Sequence, residues 1–229
     1  MKDVPYRETV GSLIYIATMT RPDIASAVSE VAQFNGDPRP PHWRAVKRVI
    51  RYLQGTKNYG LEYVQGRGFQ LEAFADADWA GNLTTCKSRS GMSVLVDDVA
   101  VDWASRVQRS VAMSTFEAEY IAVSETLKAV LWFRKLARDY GMEDEAVPII
   151  CDNQGTVDSI NGERSATQRS KHIAVRYMAV RDYRKRGLVS VIWRSTDLQK
   201  ADIMTKALAR VKFEKNRAQL GVKRIEYDE

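Results

Sequence analysis

Cysteine and histidine are scarce in this chain, with two of each among 229 residues. Cys86 and Cys151 lie far apart, form no CxxC pair and have no histidine close to them in the sequence. This spacing argues against a zinc site, which needs several such ligands at short intervals. Scattered thiols of this kind are typical of a protein in a reducing compartment.

Long apolar runs are missing as well. No segment approaches the roughly 20 apolar residues that a membrane helix requires, and the N-terminal residues lack the pattern of a signal peptide. The chain also has no internal repeat and no low-complexity tract. We therefore expect a soluble, intracellular protein without membrane contact, built as one large domain or two small ones.

Positive charge is in excess. The chain has 35 lysine and arginine residues against 29 aspartate and glutamate residues, a formal net charge of +6. Such an excess suits a polyanionic partner, most simply nucleic acid. It would also serve solubility alone, and the charge by itself does not separate these two interpretations.

Four acidic residues stand in separate local signatures along the C-terminal two-thirds of the chain. They are Asp76 in FADADWAG, Glu119 in STFEAEYIA, Asp152 in IICDNQ and Asp202 in QKADIMTK. Mg²⁺ prefers carboxylate oxygens, and a pair of such ions needs several carboxylates that converge from different elements. A basic protein with four gathered carboxylates is suited to hold metal against a phosphate.

Plainer interpretations exist for some of these acids. Asp78 lies two residues beyond Asp76 and competes for the same strand end. Asp152 could cap the helix that follows it, and Asp202 could be an exposed helix residue. Only the occurrence of all four signatures in order favours a common site.

The choice of Glu119 over Glu117 follows from helix capping. Ser114 and Glu117 form the spacing of a capping box, which assigns Glu117 to the helix N-terminus and leaves Glu119 available.

Residues 1–66 show helical periodicity and little sign of strands. We predict helices at 6–19, 22–34 and 42–54, with apolar stripes that include Ile14 and Ile50. The third helix carries four cations at i, i+3, i+4 and i+7, a face that can follow a phosphate backbone or simply be solvated. These cations are Arg44, Lys47, Arg48 and Arg51.

Strands and helices alternate from residue 69 onward. Three consecutive strands predict an antiparallel meander, and crossover helices predict two further parallel strands, which together form a mixed five-stranded sheet flanked by helices. The segment 210–229 is basic and amphipathic, and either packs on the core or reaches a partner. The predicted strands are 70–76, 91–96, 99–103, 147–151 and 188–193, and the helices are 115–140, 153–161, 171–186 and 198–208.

These residues resemble the ribonuclease H domain of copia-type LTR retrotransposon Pol polyproteins, with the preceding reverse-transcriptase thumb and connection. The first two matching segments resemble the thumb and connection, so we expect a small all-helical thumb-like segment over 1–66 and a ribonuclease H-like α/β domain over 67–229. The matching segments cover nearly the whole chain: YRETVGSLIYIATMTRPDI, HWRAVKRVIRYLQGT, ADADWAGN, CKSRSGM, STFEAEYIAVSE, CDNQGTV, RSKHIAVRY, DLQKADIMTK and FEKNRAQLGV.

The resemblance implies hydrolysis of the RNA strand of an RNA–DNA hybrid. It implies two Mg²⁺ ions, replaceable by Mn²⁺, held by Asp76, Glu119, Asp152 and Asp202. It also implies a polymerase domain of reverse transcriptase as partner and, for an active element, a cytoplasmic virus-like particle. The oligomeric state is not predicted.

Residues beside the acids are candidate substrate contacts. Hydroxyl and amide groups there can meet the RNA 2′-hydroxyl in the wide minor groove, and nearby cations can meet phosphates. The first group is Ser114, Thr115, Asn153 and Gln154; the second is Lys87, Arg89 and the four cations of the third helix.

The sequence departs from the family pattern at two places, and two other functions compete with this interpretation. Many relatives have aspartate and histidine where this chain has Ala174 and Met178. Many cellular ribonucleases H place a histidine on a loop just before the last acid, whereas residues 194–201 of this chain contain none. A DDE-type integrase or transposase would place its glutamate last, which the position of Glu119 disfavours. A domesticated or degraded nucleic-acid-binding module that does not cleave stays open.

Overall fold

The computed structural model describes residues 1, 3–64, 69–142, 145–162 and 171–226, without the side chains of 171–175 and 177. The predicted domain boundary between residues 66 and 67 and the Ala174 side chain therefore lie outside the described residues.

The N-terminal segment consists of helices α1 (Tyr6–Met19), α2 (Ala25–Ala32) and α3 (Pro40–Gly55). α1 has the predicted bounds, whereas the second helix starts as a 3-10 turn at Pro22–Ile24 before α2. The predicted inward positions of Ile14 and Ile50 are wrong, since each is 39% exposed. The helices share a core of Tyr6, Val10, Leu13, Ala17, Ile24, Val28, Val31, Val46 and Val49.

The predicted mixed sheet is confirmed. Its five strands are β2 (Leu71–Asp78), β3 (Arg89–Val96), β4 (Val99–Val107), β5 (Val147–Cys151) and β6 (Val189–Trp193). They lie in the order β4-β3-β2-β5-β6, with β2, β3 and β4 antiparallel and with β5 and β6 parallel to β2.

Helices cover both faces of this sheet. Side chains alternate along β2, so Ala73 and Ala75 join the core under α4 (Thr115–Asp139), while Phe74 joins a second core with Met204 and Leu220 on the other face. The remaining helices are α5 (Gln154–Asn161), α6 (Lys171–Lys185), α7 (Asp202–Thr205) and α8 (Arg210–Gln219).

The predicted helix over 198–208 is wrong. The chain forms a 3-10 turn at Thr196–Leu198 and then the four-residue α7. Between them Gln199 is buried and donates to the Ala75 carbonyl at 2.8 Å, while its own carbonyl accepts from Asn216 at 3.1 Å. Because side chains satisfy this buried backbone, a continuous helix is not needed.

The helical segment packs against the sheet and the C-terminal residues. Strand β1 (Tyr59–Leu61) pairs antiparallel with β7 (Val222–Arg224), and Trp103 Nε1 donates to the Ala17 carbonyl at 2.6 Å. Residues 210–226 therefore pack on the core. In the described part of the chain, no helix is long and apolar enough to cross a bilayer.

Candidate metal centre

Three of the four predicted acids meet at one end of the sheet. β2 and β5 are neighbouring parallel strands, so Asp76 near the end of β2 and Asp152 just after β5 arrive at the same edge. Glu119 comes from the first turns of α4, which starts at Thr115 because Ser114 Oγ accepts from the Glu117 amide. Carboxylate oxygens of Asp76, Glu119 and Asp152 lie within 4.8 Å of one another.

Burial governs the electrostatics of this cluster. Asp76 is 1% and Glu119 3% exposed. Burial, with the nearby Asp76 and Asp152, raises the pKa of Glu119 to about 9. Burial also raises the pKa of Asp76 to about 7; Asp202 and Asp152 add to this, while Lys206 and Thr205 oppose it. The cluster offers only hard oxygen donors, and the raised pKa values of the buried Asp76 and Glu119 fit a divalent cation that displaces their protons.

Two side chains that the sequence did not reveal hold Asp152 in place. Thr196 Oγ1 donates to Asp152 Oδ2 at 2.7 Å, and Trp193 Nε1 donates to the Asp152 carbonyl at 3.0 Å. Both partners are more than 40 positions away along the chain, which is why no local motif pointed to them.

Asp202 lies outside the three-acid cluster but close to Asp76, whose pKa it raises. It is fully buried, which excludes the exposed-helix interpretation. Lys206 Nζ lies 2.7 Å from Asp202 Oδ1 and 3.8 Å from Asp76 Oδ2, and Lys212 pairs with Asp202 Oδ2. One lysine ammonium thus contacts both Asp202 and Asp76. That all four carboxylates share one void and bind metal together stays a prediction.

Comparison with known proteins decides the family. No family model matches the chain. It is 39% identical over 214 residues to the Retrovirus-related Pol polyprotein from transposon TNT 1-94 of Nicotiana tabacum, which covers 93% of this chain and 16% of that protein. It is 37% identical over 221 residues to the polyprotein from transposon RE2 of Arabidopsis thaliana, covering 96% of this chain and 15% of that protein.

The chain belongs to the copia-type Pol polyprotein family. It spans about a sixth of the length of these two relatives.

This Pol segment shares its fold with solved reverse transcriptases. A foamy viral protease-reverse transcriptase in complex with an RNA/DNA hybrid matches at a TM-score of 0.50 and 11% identity, over 90% of this chain and 26% of that one. The dRH form in complex with double-stranded DNA matches at a TM-score of 0.53 and 10% identity, over 83% of this chain and 32% of that one. At such identities the likeness concerns the fold alone.

The neighbouring acids of the Pol segment have other contacts. Glu117 Oε2 accepts from the Met113 amide at 2.8 Å, so Glu117 belongs to the helix N-terminus, as predicted. Asp78 is half-buried and is not part of the three-acid cluster. The cap of α5 is Asn153, whose Oδ1 accepts from the Thr156 amide at 2.9 Å; the alternative of Asp152 as the cap is wrong.

The candidate 2′-hydroxyl contacts lie at the two helix starts that flank the cluster. Ser114 and Asn153 are half-buried and serve as caps. Thr115 is exposed, and so is Gln154, which donates to Asp158 at 2.7 Å.

The candidate phosphate contacts divide into exposed and buried cations. Arg89 is buried: its Nη1 donates to Ser29 Oγ and to Ser105 Oγ, and its Nη2 pairs with Glu30. This placement does not suit the phosphate contact predicted for Arg89, because the guanidinium already ties α2 to the sheet. Lys87 is half-buried. In the described ranges the remaining four are exposed and form no ion pair: Arg44, Lys47, Arg48 and Arg51.

Proposed function

We propose that this Pol segment is a metal-dependent endonuclease that hydrolyses the RNA strand of RNA–DNA hybrids. The observation that carries this proposal is the approach of Asp76, Glu119 and Asp152 to within 4.8 Å at a sheet edge of a ribonuclease H-like fold. The net charge of +6 and a neighbour solved with an RNA/DNA hybrid support a hybrid substrate. A polymerase domain is the expected partner, since the relatives are Pol polyproteins.

The carboxylates supply the ligands that two divalent ions need. Asp76, Glu119 and Asp152 would hold one Mg²⁺, and Asp76 with Asp202 would hold the second, so that Asp76 is shared; Mn²⁺ would substitute. Both oxygens of Asp202 are buried, and each already lies against a lysine ammonium, Oδ1 against Lys206 and Oδ2 against Lys212, so this position is suited to a cation. When bound, such ions lower the pKa of a water molecule and stabilise the leaving oxygen.

The protein's own groups orient these ligands. Thr196 holds one oxygen of Asp152, and Thr205 Oγ1 donates to Asp76 Oδ2. A hydroxyl that donates to a carboxylate fixes its rotamer and leaves the other oxygen for the ion. Thr115 and Gln154, exposed beside the cluster, are placed to meet the 2′-hydroxyl that separates RNA from DNA. Cleavage would leave a 5′-phosphate and a 3′-hydroxyl.

The exposed cations of α3 would contact phosphates of the hybrid. Such contacts set the position of the duplex and carry no sequence information. The polyanion would therefore span the helical segment and the acidic end of the sheet.

Strand-selective cleavage tests the proposal. Labelled RNA–DNA hybrid, RNA duplex and DNA duplex are incubated with the protein and Mg²⁺, and we expect cleavage of the RNA strand of the hybrid alone. Asp76→Asn should abolish it, because the variant loses a shared charged ligand.

Asp37→Asn is the matched control, since Asp37 is an exposed acid that pairs only with Arg39 among the described residues. It should cleave like the wild type. Binding of the hybrid without cleavage would instead favour a non-cleaving module.

A further inference from the structure

Lys206 occupies the place that the second divalent ion would take. Its Nζ is 2.7 Å from Asp202 Oδ1 and 3.8 Å from Asp76 Oδ2. Asp76 and Asp202 would hold that ion, and a divalent cation in direct contact with both carboxylates would need the space that the ammonium fills. The ion and the ammonium group therefore exclude each other from this space.

We propose that Lys206 is a built-in counter-ion of the second metal position, which fills only when the lysine ammonium moves out. The inference rests on the proposed function, because it concerns the metal site of the same nuclease. The three-acid cluster of Asp76, Glu119 and Asp152 takes the first ion while Lys206 stays in place. Asp76 and Asp202 would hold a second ion only after the Lys206 ammonium has moved away, so we expect the two positions to differ in affinity.

The two partners of this ion pair differ in their freedom to move. Asp202 is fully buried, and its second oxygen pairs with Lys212, so its carboxylate is fixed. The Lys206 side chain is 37% exposed and follows directly after α7. A hydrated ammonium on a flexible four-carbon stem can swing into solvent while its backbone stays anchored.

Repulsion explains why a lysine stands there. Without ions, buried carboxylates as close as Asp76 and Asp202 repel each other. The Lys206 cation offsets that repulsion in the metal-free protein. An ion of twice the charge can replace it, and the exchange costs the existing ion pair. Lys206 thus acts as a positioning residue, through Asp76 and Asp202.

A manganese titration tests the exchange. Free Mn²⁺ is measured by electron paramagnetic resonance while MnCl₂ is added to the wild type and to Lys206→Met. We expect one tight and one weaker site in the wild type. In Lys206→Met the weaker dissociation constant should fall about tenfold or more, because no charged hydrogen bond has to be broken.

Two further variants sharpen the result. Lys206→Gln keeps a polar end without the charge and should behave like Lys206→Met, which guards against a folding defect of the apolar variant. Lys200→Met is the matched control. It also removes a lysine that contacts two carboxylates, but these are Glu72 and Asp98, outside the metal centre, so wild-type constants are expected.

The outcomes separate this inference from the proposed function. Two equal dissociation constants in the wild type, or constants that stay unchanged when Lys206 is replaced, would overturn the inference while Mn²⁺ binding and cleavage of the hybrid persist. Absence of any bound Mn²⁺ in all proteins would overturn the metal-dependent nuclease as well.

Discussion

At the scale of single residues, burial sets the chemistry of the metal centre. Glu119 and Asp76 face little water, so the protonated form of each is favoured, and neighbouring carboxylates reinforce the effect at both positions. Lys206 opposes it at Asp76. The metal-free centre therefore keeps protons at neutral pH that a carboxylate in water would have released.

This proton retention predicts a pH dependence. The folded-state pKa is raised to about 7 for Asp76 and about 9 for Glu119, from ordinary values of 3.8 and 4.5. At any pH between a group's ordinary pKa and its raised folded-state pKa, the unfolded chain binds fewer protons than the folded one. The free energy of unfolding of the metal-free protein should therefore fall as pH rises through this window.

Divalent ions compete with the same protons, so the rise in melting temperature caused by Mg²⁺ should be larger near pH 9 than near pH 6. Thermal unfolding with EDTA and with Mg²⁺ at both pH values measures it. An equal rise at both would contradict the raised pKa values.

At the scale of elements, the short helix α7 is placed by the strand beneath it. Gly91 of β3 pairs in register with Asp76 of β2, and α7 lies directly over it. A Cβ on Gly91 would come within 2.6 Å of Thr205 Cγ2, 2.8 Å of Met204 Cβ and 3.0 Å of the Ala201 carbonyl. The absent side chain thus permits the approach that brings Asp202 and Thr205 to Asp76.

Gly91→Ala should therefore push α7 away from the sheet. We expect a loss of about 1–3 kcal/mol in the free energy of unfolding, as for other overpacked cores, together with weaker Mn²⁺ binding at the Asp76–Asp202 position. Denaturant unfolding and the manganese titration measure the two effects. Gly36→Ala is the control, because nothing lies within 4 Å of its added Cβ; equal behaviour of both variants would refute the argument.

At the scale of the whole molecule, the helical segment and the sheet are packed together by polar contacts as well as by apolar ones. Arg89 of β3 contacts Ser29 and Glu30 of α2, and Trp103 of β4 donates a hydrogen bond to the Ala17 carbonyl of α1. Because α3 shares a core with α1 and α2, its exposed cations keep a set position relative to the acidic centre, which the proposed binding of one RNA–DNA duplex to both requires.

Arg89→Met should accordingly change the stability of the protein, and Arg48→Met its binding of the hybrid. Arg89→Met should lower the free energy of unfolding by about 2 kcal/mol, since it removes charged hydrogen bonds, and leave the salt dependence of hybrid binding unchanged. Arg48→Met should leave stability unchanged and reduce the slope of log K against log salt by about 1, as for one lost phosphate contact. Thermal unfolding and salt titrations check both; a reduced slope for Arg89→Met would restore it as a phosphate contact.

Local patterns in the sequence were sufficient to predict several element bounds and one helix cap. The bounds of α1 and β5, the cap at Ser114 and the engagement of Glu117 all follow from spacing within a few residues. The order of strands and crossovers then brings Asp76 and Asp152 to one sheet edge, which places Glu119 beside them once α4 packs on that face.

The sequence by itself thus determined the elements, the sheet and three of the acids, because periodicity, capping and strand ends are short-range properties. Only the tertiary structure decided that Gln199 interrupts a helix, that Arg89 is buried, that Thr196 holds Asp152 and that Lys206 contacts both Asp202 and Asp76. The contacts of Gln199 with Ala75, Arg89 with Ser29, Thr196 with Asp152 and Lys206 with Asp76 all join residues more than 40 positions apart. Lys206 meets Asp76 only because α7 packs over β3. Such contacts depend on how buried polar groups find partners after the chain has folded, which no local pattern encodes.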